Sequence, residues 1–285
     1  MQILARSFLV LLLSVALASC SKIQLAYSTA PRLLQYQLDT YLDLNDEQER
    51  QLHQELIKLQ NWHRTYALPH YARTLERWAV RLNSPSPFST NEILLEMEQI
   101  RNALREFAMQ AAATLAPTLM TLTPAQQQYL SKKFSQSNRD YAKTYLANSQ
   151  EAFENRKARI TENYERWLGS LSAEQESVLD QWLHVHPMNA QIWAEQRQAR
   201  QQQLLLLISK APELRSRTTA AAALYEYFET LIQPHPASNQ PALAGLTAAM
   251  LNRMTPQQRT YLKDKLLGYA RELGDLAIIE RSASN

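Results

Sequence analysis

The sequence predicts an all-α fold, a multi-helix bundle without a sheet, and three observations carry that expectation. Glycine occurs four times in 285 residues, always alone, at Gly169, Gly245, Gly268 and Gly274. Leu, Ala, Gln, Glu and Arg dominate, and these lose little conformational freedom in a helix. The β-branched residues are sparse and never alternate with polar ones, so the period of two that marks a strand is missing. The glycine count also leaves no Gly-rich phosphate loop and no dinucleotide fingerprint.

The chain begins with Arg6, an apolar run from Phe8 to Leu17, and then Ala18-Ser19-Cys20. A basic start, a short apolar core and small residues before a cut make an export signal rather than a membrane span. Cys20 is the only cysteine, so disulfides are excluded and the fold must hold by packing. Leu17-Ala18-Ser19-Cys20 resembles the lipobox of bacterial lipoproteins. The resemblance implies that residues 1–19 are a signal peptide and that the Cys20 thiol carries a palmitate-type diacylglycerol anchor. Ser21-Lys22 lacks the Asp that usually holds such proteins at the inner membrane. That implies the inner leaflet of the outer membrane of a Gram-negative bacterium, facing the periplasm.

Residues 20–43 are expected to form a short tether and a first helix. Pro31 suits a first helical turn, and Leu34, Leu38, Tyr41 and Leu42 then fall on one apolar stripe. The helical body is expected over residues 44–285. It opens with Leu44-Asn45-Asp46-Glu47-Gln48, in which Asn45 and Gln48 can form a reciprocal capping box. The phrase recurs at Leu122-Thr123-Pro124-Ala125-Gln126, Leu171-Ser172-Ala173-Glu174-Gln175 and Met254-Thr255-Pro256-Gln257-Gln258. Each copy has a leucine four residues past its glutamine: Leu52, Leu130, Leu179 and Leu262. Asn45 and Ser172 lie 127 positions apart, Thr123 and Thr255 lie 132 apart, and Trp62 and Trp193 lie 131 apart. These spacings predict two pseudo-repeated halves, residues 44–169 and 171–285.

Within the first half, Pro69 is expected to kink or break a helix that starts at Asp46. Residues 83–87 are a turn, and Ser89 with Glu92 is expected to form another capping box before a helix whose stripe is Ile93, Met97, Ile100, Leu104 and Phe107. Residues 124–168 are expected to form one long helix with Phe153, Ile160, Tyr164 and Trp167 on a face, closed by Gly169. In the second half a break is expected at His186-Pro187, a restart near Asn189, a division at Pro212 and a long loop over residues 233–241.

The formal charge is +3, with both signs interspersed. Glu151, Glu154, Glu162 and Glu165 among Arg156, Lys157, Arg159 and Arg166 predict a solvated helix face with paired charges. Nucleic acid is not expected as a partner. Of the candidate sites, Trp62, His63, Arg64, His70 and Tyr71 are the densest set of functional side-chain types. They are weighed as an aromatic-basic binding pocket against a buried structural cluster at the Pro69 kink, and the cluster is favoured. His184 and His186 are too few for a metal without further ligands. No serine sits in a strand-turn-helix elbow, and the carboxylates form no pair in a predicted cleft, so no enzyme and no cofactor are expected.

Two resemblances follow from these residues. Leu-Thr-Pro-Ala-Gln at 122–126 resembles the Leu-Thr-x-x-Gln motif of the Spy/CpxP group of periplasmic chaperones, and the other three copies depart from it at one position each. A second is to an uncharacterised proteobacterial lipoprotein family of unknown function. It is carried by Cys20 to Tyr27, Ala30-Pro31, Asp39 to Leu44, and Trp62-His63-Arg64 with Leu68-Pro69. The expected work is binding of protein or peptide, as a chaperone-like or envelope-assembly accessory. The alternative is a structural scaffold with one constitutive partner, and a metal-binding protein or hydrolase ranks last. The sequence names neither the protein partner nor the oligomeric state.

Overall fold

The helix starts explain the architecture, and they belong to a computed structural model that describes residues 24–146, 149–235 and 238–278. Cys20 and the expected signal peptide lie outside the described residues. The first helix, α1, covers 24–42. Then follow α2 (Asp46–Trp62), a π-helical turn (His63–Ala67), α3 (Leu68–Arg81), α4 (Thr90–Thr121), α5 (Pro124–Tyr145) and α6 (Ser149–Leu168). The chain continues with α7 (Ala173–Val185), α8 (Ala190–Lys210), a 3-10 turn (Ala211–Glu213), α9 (Arg217–Ile232), α10 (Gln240–Asn252) and α11 (Pro256–Ile278). The protein is an all-α multi-helix bundle, with no strand among the described residues.

All four phrases are capping boxes. Gln48, Gln126, Gln175 and Gln258 each accept the backbone N–H of their own cap residue, Asn45, Thr123, Ser172 or Thr255, at 2.9–3.0 Å. The return bonds, from each glutamine N–H to the cap side chain, are equally present. Capping alone would admit glutamate. The amide is required because the four side chains are buried and meet in pairs. Gln126 Nε2 donates to Gln48 Oε1 at 2.7 Å and to the Asp43 carbonyl at 2.8 Å. Gln48 Nε2 donates to the Thr121 carbonyl at 2.9 Å. The second seam repeats the arrangement, with Gln258 Nε2 on Gln175 Oε1 and on the Ser170 carbonyl, both at 2.8 Å. Gln175 Nε2 departs from the pattern and reaches the Met250 carbonyl at 3.1 Å. Each seam thus satisfies buried donors and acceptors without a charge. The leucine one turn beyond each glutamine is buried: Leu52, Leu130, Leu179 and Leu262 are 0–6% exposed.

The packing follows the same correspondence. α2 lies on the C-terminal part of α4 through Leu52, Leu56, Phe107 and Leu115, as α7 lies on α10 through Leu179, Leu183, Leu246 and Met250. α3 pairs with α11, and α8 with α5, so each of these second helices packs on the helix that the other half's second capping phrase starts. Ala244 and Ala248 join the α3–α11 core, and Ala112 and Ala116 join the α5–α8 core. Ser89 caps α4 and Ser216 caps α9, again 127 positions apart, but Ser89 makes a one-way cap rather than the expected box, because the Glu92 carboxylate accepts from Arg81 instead. Where the first half has the unbroken α4, the second has α9 ending at Ile232 and α10 beginning at Gln240.

Several sequence expectations change. Residues 124–168 are not one helix: α5 ends at Tyr145 and α6 begins at Ser149. α5 packs on α8, whereas α6 packs on α11 and α7, and a straight helix could not reach both. Pro31 lies inside α1 rather than in its first turn. Proline has no N–H for the Tyr27 carbonyl four residues back, and the Gln60 side-chain amide donates to that carbonyl instead. The α1 stripe divides, with Leu38 and Leu42 packed on α2 while Leu34 and Tyr41 are exposed. On α4, Ile93 is buried and Met97 and Phe107 pack on core clusters, but Ile100 and Leu104 face outward.

Candidate functional site

The five residues singled out around Pro69 do not form one pocket. Pro69 is absorbed by the π-helical turn, in which the Leu68 N–H reaches back to the His63 carbonyl. Widening the turn by one residue relieves the clash between the proline ring and the preceding turn. His63 then sits among rings, edge-on to Tyr71 at 5.7 Å and to Phe107 at 5.8 Å, and beside Trp62 at 6.4 Å. Tyr27 stacks on it at 6.0 Å, with its hydroxyl 3.0 Å from His63 Nδ1 and 3.3 Å from the Gln60 carbonyl. The Arg64 guanidinium lies over the Tyr27 ring at 5.4 Å. His70 is exposed and touches only the edge of Tyr71, at 6.5 Å. Burial pushes the His63 pKa down, and burial, followed by the charge of Glu106, pushes that of Tyr71 up. A half-buried neutral imidazole held by rings latches α1 to the α2–α3 kink. Tyr27 and Phe107 belong to this cluster and were not legible, because they come from helices distant in sequence.

A concavity lies between elements of both halves. A cleft of about 1040 Å³ opens where α7 stops at His186-Pro187 and α8 restarts at Ala190. His186 precedes a proline and takes φ −122°, ψ 68°, outside the helical region. The walls come from α5, α6, the end of α7, α8, α9 and the start of α10, with Tyr41 contributed by α1. Phe134, Tyr141, Tyr145, Trp182, Trp193 and Tyr227 give it an aromatic lining. Arg156 and Arg159 of α6 and Arg197 and Arg200 of α8 supply its charge, and no Asp or Glu among the described residues lines it.

Three of these arginines are held by neutral groups. Arg156 Nη1 donates to the His186 carbonyl at 2.6 Å, and its guanidinium lies 5.1 Å from the Trp182 ring. Arg197 donates to Asn138 Oδ1 at 3.0 Å and to Ser137, and lies 6.0 Å from the Tyr141 ring. Arg200 Nη2 donates to the Thr230 carbonyl at 3.3 Å. Arg159 is exposed. None is within ion-pair distance of a carboxylate among the described residues. Some arginines elsewhere are ion-paired, Arg81 with Glu92, Arg101 and Arg105 with Glu98, and Arg105 also with Glu229 at 2.9 Å, while Arg77 and Arg259 are, like the cleft arginines, held by a neutral amide or carbonyl. The cleft charges act on one another. Burial and then the neighbouring Arg159 lower the Arg156 pKa. Burial and Tyr145 raise that of Tyr141, opposed by Arg197 and Arg159 on its two sides.

The charge pattern of α6 therefore corrects the expectation of a uniformly paired face. At 100° per residue, Arg156 and Arg159 share one side of the helix while Glu154 and Glu165 fall on the opposite side. Lys157 pairs with Asp180 of α7 and Arg166 with Glu162, which leaves the other two arginines to the cleft. The available signal was the repeated Arg-x-x-Arg at 156–159 and 197–200, with Trp193 one turn before Arg197. His184 and His186 diverge. The first bonds the Asp180 carbonyl at 2.7 Å and packs on Phe153, and the second lies against Trp182 and 3.3 Å from Asn239.

No curated protein and no solved structure matches the chain. A family model matches residues 40–226, a span that holds three of the capping phrases, His63 and all four cleft arginines. That is more than half of the sequence, and the chain belongs to DUF6279, a family of unknown function.

Proposed function

We propose that this chain is a non-catalytic binding protein of the bacterial envelope that holds polypeptide segments in the α5–α8 cleft. The observation that carries the reading is the cleft itself, with rings, side-chain amides and unpaired guanidiniums on its walls. Such a surface offers large rigid apolar contacts together with hydrogen bonds for a peptide backbone. Its polar groups include no carboxylate that could serve as a general base beside a nucleophile. The anchor is the acylated Cys20, supported by the lipobox-like run Leu17–Cys20, and the place is the periplasmic face of the outer membrane. The four capping phrases have a structural job, pairing buried helix starts, so the likeness to the Spy/CpxP motif supports the helical body more than a shared client.

The test is aggregation of a chemically denatured client, followed by light scattering, with the purified chain in several-fold excess. Suppression is expected, and it should weaken in Trp193→Ser, which removes a ring from the cleft wall. Unchanged scattering overturns the reading. Crosslinking in cells to one stoichiometric partner would transfer the role to a scaffold.

A further inference from the structure

The geometry points to acidic polypeptide, extended segments in which Asp or Glu alternates with apolar or aromatic side chains, as the ligand class of the cleft. The inference rests on the reading that the cleft holds polypeptide, and it deepens that reading by its charge. The chain carries 27 acidic residues against 30 basic ones, yet the cleft takes four of the cations and none of the anions. A guanidinium has five N–H donors. The bonds to His186, to Asn138 and Ser137, and to Thr230 occupy one or two on each of Arg156, Arg197 and Arg200. The remaining donors meet no carboxylate among the described residues and can make a forked bond to one.

The arrangement also favours peptide over a phosphate polymer or a lipid surface. The cations form two pairs, Arg156 with Arg159 and Arg197 with Arg200, on different helices, and the Tyr141 ring lies 6.0 Å from Arg197 and feels the charge of Arg159. A carboxylate at each pair would bring an intervening side chain onto the rings. Gln196, Gln201, Asn239 and Gln240 stand on the same walls and can both donate to and accept from a peptide backbone. A phosphate backbone needs donors alone, and a bilayer needs its cations on an outward face rather than in a cleft.

The experiment measures fluorescence anisotropy of three labelled peptides titrated with the purified full chain. One alternates Asp or Glu with Phe, one replaces each acid by its amide, and one replaces each acid by Lys. Inorganic polyphosphate and a single-stranded oligonucleotide serve as competitors. The acidic peptide should bind at least ~10-fold more tightly than the amide peptide and weaken several-fold as salt rises from about 50 to 300 mM. In Arg159→Glu/Arg200→Glu it should lose its advantage and the Lys peptide should gain. A thermal melt of the variant shows that the fold is kept, and Arg159→Gln, a change at an exposed position, gives a milder second reading of the same loss. Equal binding of the acidic and amide peptides overturns the charge inference alone. Displacement by polyphosphate or oligonucleotide at lower concentration than the acidic peptide overturns it in favour of a phosphate ligand. No binding of any peptide overturns the polypeptide reading itself.

Discussion

The α2–α3 and α7–α8 junctions each meet a proline, and they resolve it in opposite ways. At Pro69 the preceding Leu68 stays helical, at φ −58° and ψ −42°, although a residue before proline is biased away from that region. Leu68 is 2% exposed, so burial of its side chain offsets the local bias, and the π-helical turn supplies the space. Tyr27, Tyr71 and Phe107 then fill the corner around His63. At Pro187 the preceding His186 is only half-buried, nothing compensates the bias, and the helix stops. The broken α9–α10 stretch lies alongside, and the corner remains a cleft. One blueprint of capped helices thus yields a sealed corner and an open one. The difference is made by a few residues at the junctions and not by the caps.

The sharpest way to break the comparison is to attack the two seams, because they are the part the halves share. In Gln126→Glu the side chain keeps its acceptor role toward Thr123 but loses both donated bonds and sets a carboxylate against the Asp43 carbonyl and Gln48. The expected loss is about 2–3 kcal/mol for leaving buried partners unpaired. Gln258→Glu should cost a similar amount, since Ser170 and Gln175 stand where Asp43 and Gln48 stand in the first seam. Urea unfolding of the two variants checks this. A loss confined to one of them would mean that the seams are not equivalent supports.

How much of this could be read from the residues depends on how far each determinant lies along the chain. The capping boxes are complete within four residues, so Asn45, Thr123, Ser172 and the leucine after each glutamine were legible. Gly169 was too: it closes α6 at φ 78°, which only a residue without a Cβ adopts freely. Tertiary partners decided the rest. The α5–α6 break, the outward Ile100 and Leu104, and the Gln60 amide that replaces a donor lost to Pro31 all depend on a second helix. The cleft was illegible for the same reason. Its arginines are mixed with acidic residues in sequence and separate from them only when α6 and α8 are wound and each turns one face to the cleft.

A smaller effect sharpens the contrast between the corners. His63 is neutral where it is buried, and its folded pKa lies below the 6.5 of the unfolded chain. The unfolded state therefore binds the proton more readily. Stability from this group is full above about pH 6.5 and falls as the pH drops toward the folded pKa. Thermal melts between pH 7.5 and 5 should show this slope, and His63→Phe should flatten it. Tyr27→Phe, which removes the hydroxyl at 3.0 Å, should cost about 1 kcal/mol and raise amide exchange in α1 without changing ligand binding at the cleft. A simultaneous loss of cleft binding would show the two corners to be coupled.

The smallest expected effect separates arginines that hold the fold from those that do not. Arg81 pairs with Glu92, donates to the Ser86 and Pro87 carbonyls, and lies 4.1 Å over the Phe88 ring. Its replacement by Ala should cost about 1 kcal/mol, a value kept modest because the pair is partly solvated. Arg159 is exposed and unpaired, so Arg159→Ala should change stability by less than about 0.5 kcal/mol. If loss of Arg159 stabilises the chain slightly, the cause is relief of its repulsion with Arg156, the same repulsion that helps to lower the Arg156 pKa. Such a gain would vanish when an anion occupies the cleft, because the bound charge would then do what the missing carboxylates do not. Denaturation of Arg159→Ala and the unsubstituted chain, with and without saturating acidic peptide, reads that sign directly.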